Sequence, residues 1–210
     1  MAEITRKELI LALIGASNQP RLAGLDLSSL DMSHLALGYA NLSRADLIGS
    51  DLTKTDLIGA DLSSANLSNA TMVGTILSSA NLTAAELRNV NLGKAVLTWA
   101  CLSHAIIVSS NLSGTNLEYA NLTNADLRDT RLPKANLRGA DLSDAVLMKT
   151  ILTECNLADA VLVRANLSGA DLTGADLSRA NLVGATLVPT QLSRVASLQG
   201  AILPDGSRVG

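Results

Sequence analysis

Residues 40–69 read ANLSR ADLIG SDLTK TDLIG ADLSS ANLSN, six consecutive fives built to one plan. Each five carries a small residue, then Asp or Asn, then Leu, then two variable positions. The plan extends far beyond this stretch. From Leu22 to Leu192 an apolar residue recurs every five positions at 35 sites, 32 of them Leu, with Met32, Met72 and Ile107 as the exceptions. Two residues earlier, from Ala40 to Thr190, stands a small residue: Ala at 21 of 31 sites, otherwise Ser, Thr, Val90 or Cys155. Repetition on this scale marks a structural unit that stacks on copies of itself.

A period of five fits neither regular element. On an α-helix five steps turn a side chain by about 140°, so the leucines would spiral over every face. On a flat strand an odd step sends alternate leucines to opposite faces. Each unit must therefore hold a short extended piece and then a corner. The small residue and the Leu, two apart, point the same way, and the corner resets the direction. Gly and Asn recur two residues after the apolar site, at Gly49, Gly59, Asn69, Gly74, Asn89 and Gly169, where a turn needs them. The chain thus winds as a coil with its leucines inside and successive turns about 4.8 Å apart. Ala is needed because opposing walls leave no room for two large layers. Periodicity alone allows three or four units per turn. The three aromatic residues, Tyr39, Trp99 and Tyr119, are spaced by multiples of 20, which favours four.

The Ala-(Asp/Asn)-Leu-x-x unit resembles that of the pentapeptide-repeat family, over about 170 of the 210 residues. The resemblance implies an all-β fold: a right-handed quadrilateral β-helix, a pentapeptide-repeat solenoid with four units to each coil. Residues 1–19 are expected to form a short N-terminal α-helical cap, with Thr5 as N-cap and Glu8 three residues on, a capping-box spacing. Leu9, Ile10, Leu11, Leu13 and Ile14 supply apolar surface, and Asn18 and Pro20 end the helix. Residues 20–194 then form the β-helix. Residues 195–210 form an irregular C-terminal turn and tail, because Leu198 and Leu203 resume the repeat one residue late. The opening helix and the closing Gly200–Gly206 segment look most like cyanobacterial members of the family.

Composition bounds the function. Sixteen bases against 19 acids give a net charge of −3, and there is no Phe. Residues 20–80 are net acidic, 81–140 net basic and 141–195 net acidic. No apolar run approaches the roughly 20 residues of a membrane span, so the chain is expected in the cytoplasm without a membrane partner. Cys101 and Cys155 read as reduced thiols. His34 and His104, far apart along the chain, read as solvated corner residues. The glycines sit at repeat spacing, not in a phosphate loop. Most Asp residues alternate freely with Asn, which argues for hydrogen bonding instead of proton transfer. An unbroken repeat leaves no cleft for unlike side chains to meet. The sequence therefore predicts no enzyme, no cofactor, no metal and no direct nucleic-acid binding.

Departures from the repeat are where function is expected. The outward position before the Leu is apolar at Ile76, Val96, Ile106, Val146, Ile151 and Val161. With four units per coil Ile76 and Val96 stack beside Trp99 and Tyr119. On another face Ile106 and Val108 flank Ile107, and Val146 and Met148 flank Leu147. Together these eight residues, Ile76, Val96, Trp99, Ile106, Val108, Tyr119, Val146 and Met148, are read as a partner patch on the middle coils. β-Branched outward residues also suit extended backbone without any partner. The expected function is a non-enzymatic protein-binding scaffold with a regulatory role, engaging another protein or pairing side to side as a homodimer. The family supplies a second reading, a DNA mimic that inhibits or protects a type II topoisomerase such as gyrase. Mimicry asks for a strongly acidic rod, which the charge balance does not provide, and the resemblance to such members implies dimerisation through C-terminal helices, of which this sequence shows no pattern.

Overall fold

The computed structural model describes residues 4–15 and 20–210. From Arg21 to Thr186 every unit forms a parallel β-bridge to the residue 20 positions on, as in Ile76 to Val96 and Val96 to Asn116. One turn is therefore four units. Each unit contributes one bridged residue to a side instead of a longer strand. The four sides can be named from one middle coil: the first is 81–85, the second 86–90, the third 91–95 and the fourth 96–100.

A unit that carries Asp or Asn at its second position can satisfy its whole backbone, and this explains the sequence plan. In the unit Asp51–Thr55, Asp51 N–H donates back to Leu30 O at 3.0 Å. Leu52 N–H and Lys54 N–H donate forward to Thr71 O and Val73 O, at 2.7 and 3.0 Å. Thr55 N–H closes the corner onto Leu52 O at 3.1 Å. The fifth donor, Thr53 N–H, is taken by Asp51 Oδ1 at 2.8 Å. Asn serves equally, as when Asn66 Oδ1 accepts from Ser68 N–H at 3.1 Å. Asp and Asn interchange because only a carbonyl-like oxygen is required. In the unit of Arg131, Pro133 stands where the fifth N–H would be, so no acceptor is called for.

The corner is more demanding than the glycines suggest. The residue two after the Leu has positive φ whatever its type, from Ser29 at 57° and Lys54 at 54° to Trp99 at 61°. That is the requirement at the third residue of a type II turn. It costs a non-glycine residue roughly 1–2 kcal/mol.

Inside, Leu27 through Leu182 and the Ala layer are almost wholly buried. The leucine columns close on each other and leave a cavity of only about 10 Å³ between Leu127 and Leu162, space for one water at most. Hydroxyls at the small position bond Leu or Met carbonyls: Ser50 and Thr115 donate to Leu47 O and Leu112 O of their own turn, while Thr55 donates to Met32 O at 2.8 Å and Thr75 to Leu52 O at 2.7 Å in the preceding coil. Cys155 does the same toward Leu132 O at 2.7 Å, and burial pushes its thiol up to about 12.

Helix α1 spans Arg6–Gly15. Its start is the expected capping box: Thr5 N–H and Thr5 Oγ1 both donate to Glu8 Oε2, at 2.7 and 2.8 Å, and Glu8 N–H donates to Thr5 Oγ1 at 3.2 Å. Leu9 is fully buried against the first coil, while Ile4 and Leu13 pack on it partly. Leu11 faces solvent, contrary to the expectation that it lines the coil. Arg6 ties the helix down through Asp31 O, Asp31 Oδ1 and Ser33 O. In the first coil Leu25, Leu30 and Leu35 stand at the small position, with no preceding coil to crowd them. Asn18 and the side chain of Ile14 lie outside the described residues.

At the other end the regular pairing stops at Thr186, before the expected 194. A second helix, α2, spans Pro189–Leu192, which the five-residue spacing through Leu192 conceals. Pro189 starts it, and the Gln191 side-chain amide donates to Leu167 O and Ala170 O, where a further coil would pair by backbone. Pairing resumes one residue late, from Asp176 to Ser197 and Asn181 to Ile202. The chain then folds back antiparallel from Ile202 to Arg208 and covers part of the last edge.

These roles set the cost of changing them. Leu97→Ala is expected to cost about 2–5 kcal/mol, and Asn66→Ala, which orphans one partly exposed N–H, about 1 kcal/mol, both read from urea unfolding. Asp159 is held at about 2 by the Arg179 guanidinium, with Arg138 assisting. That lies below the unfolded value of about 3.9, so its contribution is complete above pH about 4 and is lost as pH falls through about 2. Asp159→Asn should therefore lower the melting temperature at neutral pH and flatten the acid-induced loss of stability between pH about 4 and 2.

Candidate functional site

The 20-residue register decides which outward side chains meet. Ile76, Val96, Trp99 and Tyr119 share the fourth side. Ile106, Val108, Val146 and Met148 fall on the second side, two units round the coil and so on the opposite wall. The eight residues do not form one patch. The second-side group is itself divided, because Asp126 bridges both Ile106 and Val146, and Arg128 lies between Val108 and Met148. Arg128 Nη2 and Asp126 Oδ2 pair at 2.6 Å. Burial alone would raise the Asp126 carboxyl, but the hydrogen bonds from Arg128 outweigh it and hold the acid below its ordinary value.

The fourth-side group is continuous. Ile76 and Val96 are bridged directly, and Ser78 Oγ and Thr98 Oγ1 hydrogen-bond between them at 2.8 Å. Trp99 stacks on Tyr119 with ring centroids 4.4 Å apart and planes 19° apart. Trp99 is 64% exposed and Tyr119 40%. Below them, Gly139 makes room: a Cβ there would fall 2.5 Å from the Tyr119 ring. Tyr39 lies over Gly59 in the same column in the same way, at 2.6 Å. On this side the nearest charges to the Ile76–Val96 pair are Asp56 and Glu118, one coil away in either direction. Apolar substitution also changes the backbone. With Ile76 and Val96 at the Asp/Asn position, no side chain among the described residues accepts from Ser78 N–H or Thr98 N–H. Sequence reasoning finds the apolar residues but not these two donors, whose signal is the missing Asp or Asn itself.

Other candidates assemble less. His34 and His104 lie at diagonally opposite corners of the coil, and among the described residues no three metal-capable side chains converge. Cys101 is half-buried beside Thr83 and Ser103. Burial raises its thiol, but hydrogen bonds from Ser103 and Thr83 outweigh that and hold it somewhat below the ordinary value. At the C-terminal end a groove of about 520 Å³ is lined by Leu187, Pro189, Leu192, Leu198, Leu203 and Pro204, the last rank of the leucine columns. None of the described helices is long and apolar enough to cross a membrane.

A family model described as pentapeptide repeats matches residues 40–78, 75–114, 110–147 and 150–187. Among solved structures, HetL, a pentapeptide repeat protein involved in heterocyst differentiation regulation from the cyanobacterium Nostoc sp. strain PCC 7120, is 32% identical. That match covers 99% of this chain and 100% of HetL, with a TM-score of 0.59. Rfr23, a pentapeptide repeat protein from the cyanobacterium Cyanothece 51142, is 31% identical over 60% of this chain and 58% of its own, with a TM-score of 0.19. A trypsin-treated form of QnrB1, a plasmid-mediated fluoroquinolone resistance protein, is 24% identical over 81% of this chain and 90% of its own, with a TM-score of 0.47. No curated protein matches the chain.

The stacked pair gives a direct test of the corner geometry. Gly139→Ala should push the Tyr119 ring from its seat and reduce the near-ultraviolet circular dichroism of the single tryptophan. Gly114→Ala, whose Cβ would meet only Lys94 Cγ at 3.9 Å, carries the same φ strain and should leave that signal unchanged.

Proposed function

We propose, from the premise that this chain belongs to the pentapeptide-repeat family, that it is a non-enzymatic scaffold whose fourth side binds a partner protein. The observation that carries the reading is the uncharged strip of Ile76, Val96, Ser78 and Thr98 edged by the exposed Trp99–Tyr119 stack. Aromatic side chains held rigid and solvent-exposed are favoured anchors at interfaces. In this reading the coil is right-handed and four-sided, residues 1–19 cap its N-terminal end, and the closing segment begins where α2 leaves the coil. The protein works in the cytoplasm. HetL, similar over its whole length and described as involved in the regulation of differentiation, supports a regulatory role.

The alternative, mimicry of DNA toward gyrase, finds no support in the surface. Sixteen bases nearly balance 19 acids, and Arg128, Arg138, Arg164 and Arg179 are paired with acids along the rod. A self-paired dimer through the fourth side is the other occupant to separate from a foreign partner.

The test is an affinity capture from lysate of the native organism with wild type and with Trp99→Ala/Val96→Asp, together with sedimentation of both proteins. A partner retained by wild type and lost by the variant is the expected result. Retention of every partner and an unchanged oligomeric state in the variant would sink the reading, as would micromolar inhibition of gyrase supercoiling by wild type.

A further inference from the structure

The third and fourth sides meet at a corner that carries a lysine on every second coil: Lys54, Lys94 and Lys134. Gly74 and Gly114 stand between them in the same column. The lysine stems lie along the coil axis over these glycines, with Lys54 Cγ 3.6 Å and Lys94 Cγ 3.9 Å from where a Cβ would stand. All three lysines are exposed, and two coils set them about 9.6 Å apart. The third side adds Arg131, and its only acid within the units of the three lysines is Asp51, whose Oδ1 accepts from Thr53 N–H. Of the three, Lys134 has an ion pair, to Glu154 at 3.6 Å with both side chains mostly exposed, a contact worth little against a competing carboxylate.

The lysine row and the aromatic stack lie on the two edges of the fourth side. Between them runs a shallow trough about one unit wide. In the middle coils its floor is Ile76, Val96 and the Ser78–Thr98 hydroxyl pair, with Asp56 and Glu118 one coil beyond on either end, and it offers the N–H groups of Ser78 and Thr98 as donors. An occupant must therefore bring carboxylates on one flank at the spacing of the lysines, apolar rings on the other, and carbonyl acceptors facing the floor. A flat β-strand fails, because residues three apart point to opposite faces and residues two apart are only about 6.7 Å apart. A polyproline-II segment fits. It repeats every three residues at about 3.1 Å each, about 9.3 Å in all, and makes no internal hydrogen bonds, so its carbonyls are free. Proline rings pack on aromatic side chains in such complexes.

We infer that the fourth side binds an acidic polyproline-II segment of a partner protein, with Asp or Glu at every third residue against Lys54, Lys94 and Lys134 and its prolines against Trp99 and Tyr119. The inference rests on the scaffold reading and names the chemistry of the partner. Single-stranded nucleic acid also uses cations and aromatic rings, so it stands as the competing occupant that the test separates by its phosphates and bases from a segment repeating every three residues.

The test uses the full chain and a fluorescein-labelled peptide of four Glu-Pro-Pro repeats, followed by fluorescence anisotropy at low salt. A peptide of the same composition with its four Glu contiguous and a short oligo-dT serve as competitors. The repeat peptide should bind, and Lys54→Glu/Lys94→Glu should weaken it by at least about tenfold. Trp99→Ala should weaken it too, while Lys149→Glu on the second side should not. No binding of the repeat peptide, equal binding of the contiguous-Glu peptide, or tighter binding of oligo-dT overturns the inference. If the peptide fails while a lysate partner still depends on Trp99, the partner chemistry falls and the scaffold reading stands. If the Trp99 dependence is absent as well, both fall.

Discussion

Everything in this molecule depends on backbone pairing between residues 20 positions apart. In a regular unit three N–H groups donate to a neighbouring coil, one closes the corner, and the Asp or Asn oxygen, where there is one, takes the last. This ladder holds 24 non-glycine residues in the left-handed region among the described residues. At roughly 1–2 kcal/mol each that strain exceeds the net stability of an ordinary domain. It is tolerable only because each strained corner lets one more Leu and one more Ala enter a dry core and one more set of inter-coil bonds form. The corner and the core are thus a single cooperative device, and energy lost at one unit is felt mainly by its neighbours along the axis.

The same register turns sequence separation into surface geometry. Residues 20 apart are neighbours along a column, and residues ten apart face opposite ways. Long corner side chains exploit the columns by resting on a glycine one coil further on: Tyr119 on Gly139, Lys54 on Gly74, Arg164 on Gly184. Such seats aim the side chains along the axis and give the exposed corners a defined texture. The fourth side is distinctive because both of its edges are textured, one by lysines and one by aromatics. Its floor has exchanged the self-satisfying Asp/Asn for Ile76 and Val96. That exchange trades an internal hydrogen bond for an outward-facing donor, a poor choice for a surface facing only water and a useful one for a surface that meets another backbone.

Much of this is legible in the sequence. The coil, its leucine interior, the capping box at Thr5 and Glu8 and the late resumption of the repeat at Leu198 all follow from local spacing, which is what a periodic fold amplifies. The number of sides is not legible from spacing, because three-unit and four-unit turns bury the same leucines. Even with four units per turn, the grouping of Ile106, Val108, Val146 and Met148 with Ile76 and Val96 fails, because residues ten apart such as Val96 and Ile106 lie on opposite walls and not on neighbouring ones. Helix α2 is hidden because Leu192 keeps the five-residue period by coincidence while Pro189 starts a different backbone. The two donors at Ser78 and Thr98 are invisible because a backbone N–H leaves no mark in a sequence except through the residue that should have satisfied it.

The register is therefore the quantity to measure. With Cys101 and Cys155 replaced by Ser and Ala, nitroxide labels on cysteines introduced at Ser68 and Ser168 report the pitch by pulsed electron resonance. Four units per turn put these residues in one column five coils apart, about 24 Å. Three units per turn would separate them by between six and seven coils, about 32 Å, and would scatter Ile76, Val96, Trp99 and Tyr119 over different sides. A distribution centred on the shorter distance is the result expected of this molecule, and one centred on the longer distance contradicts it.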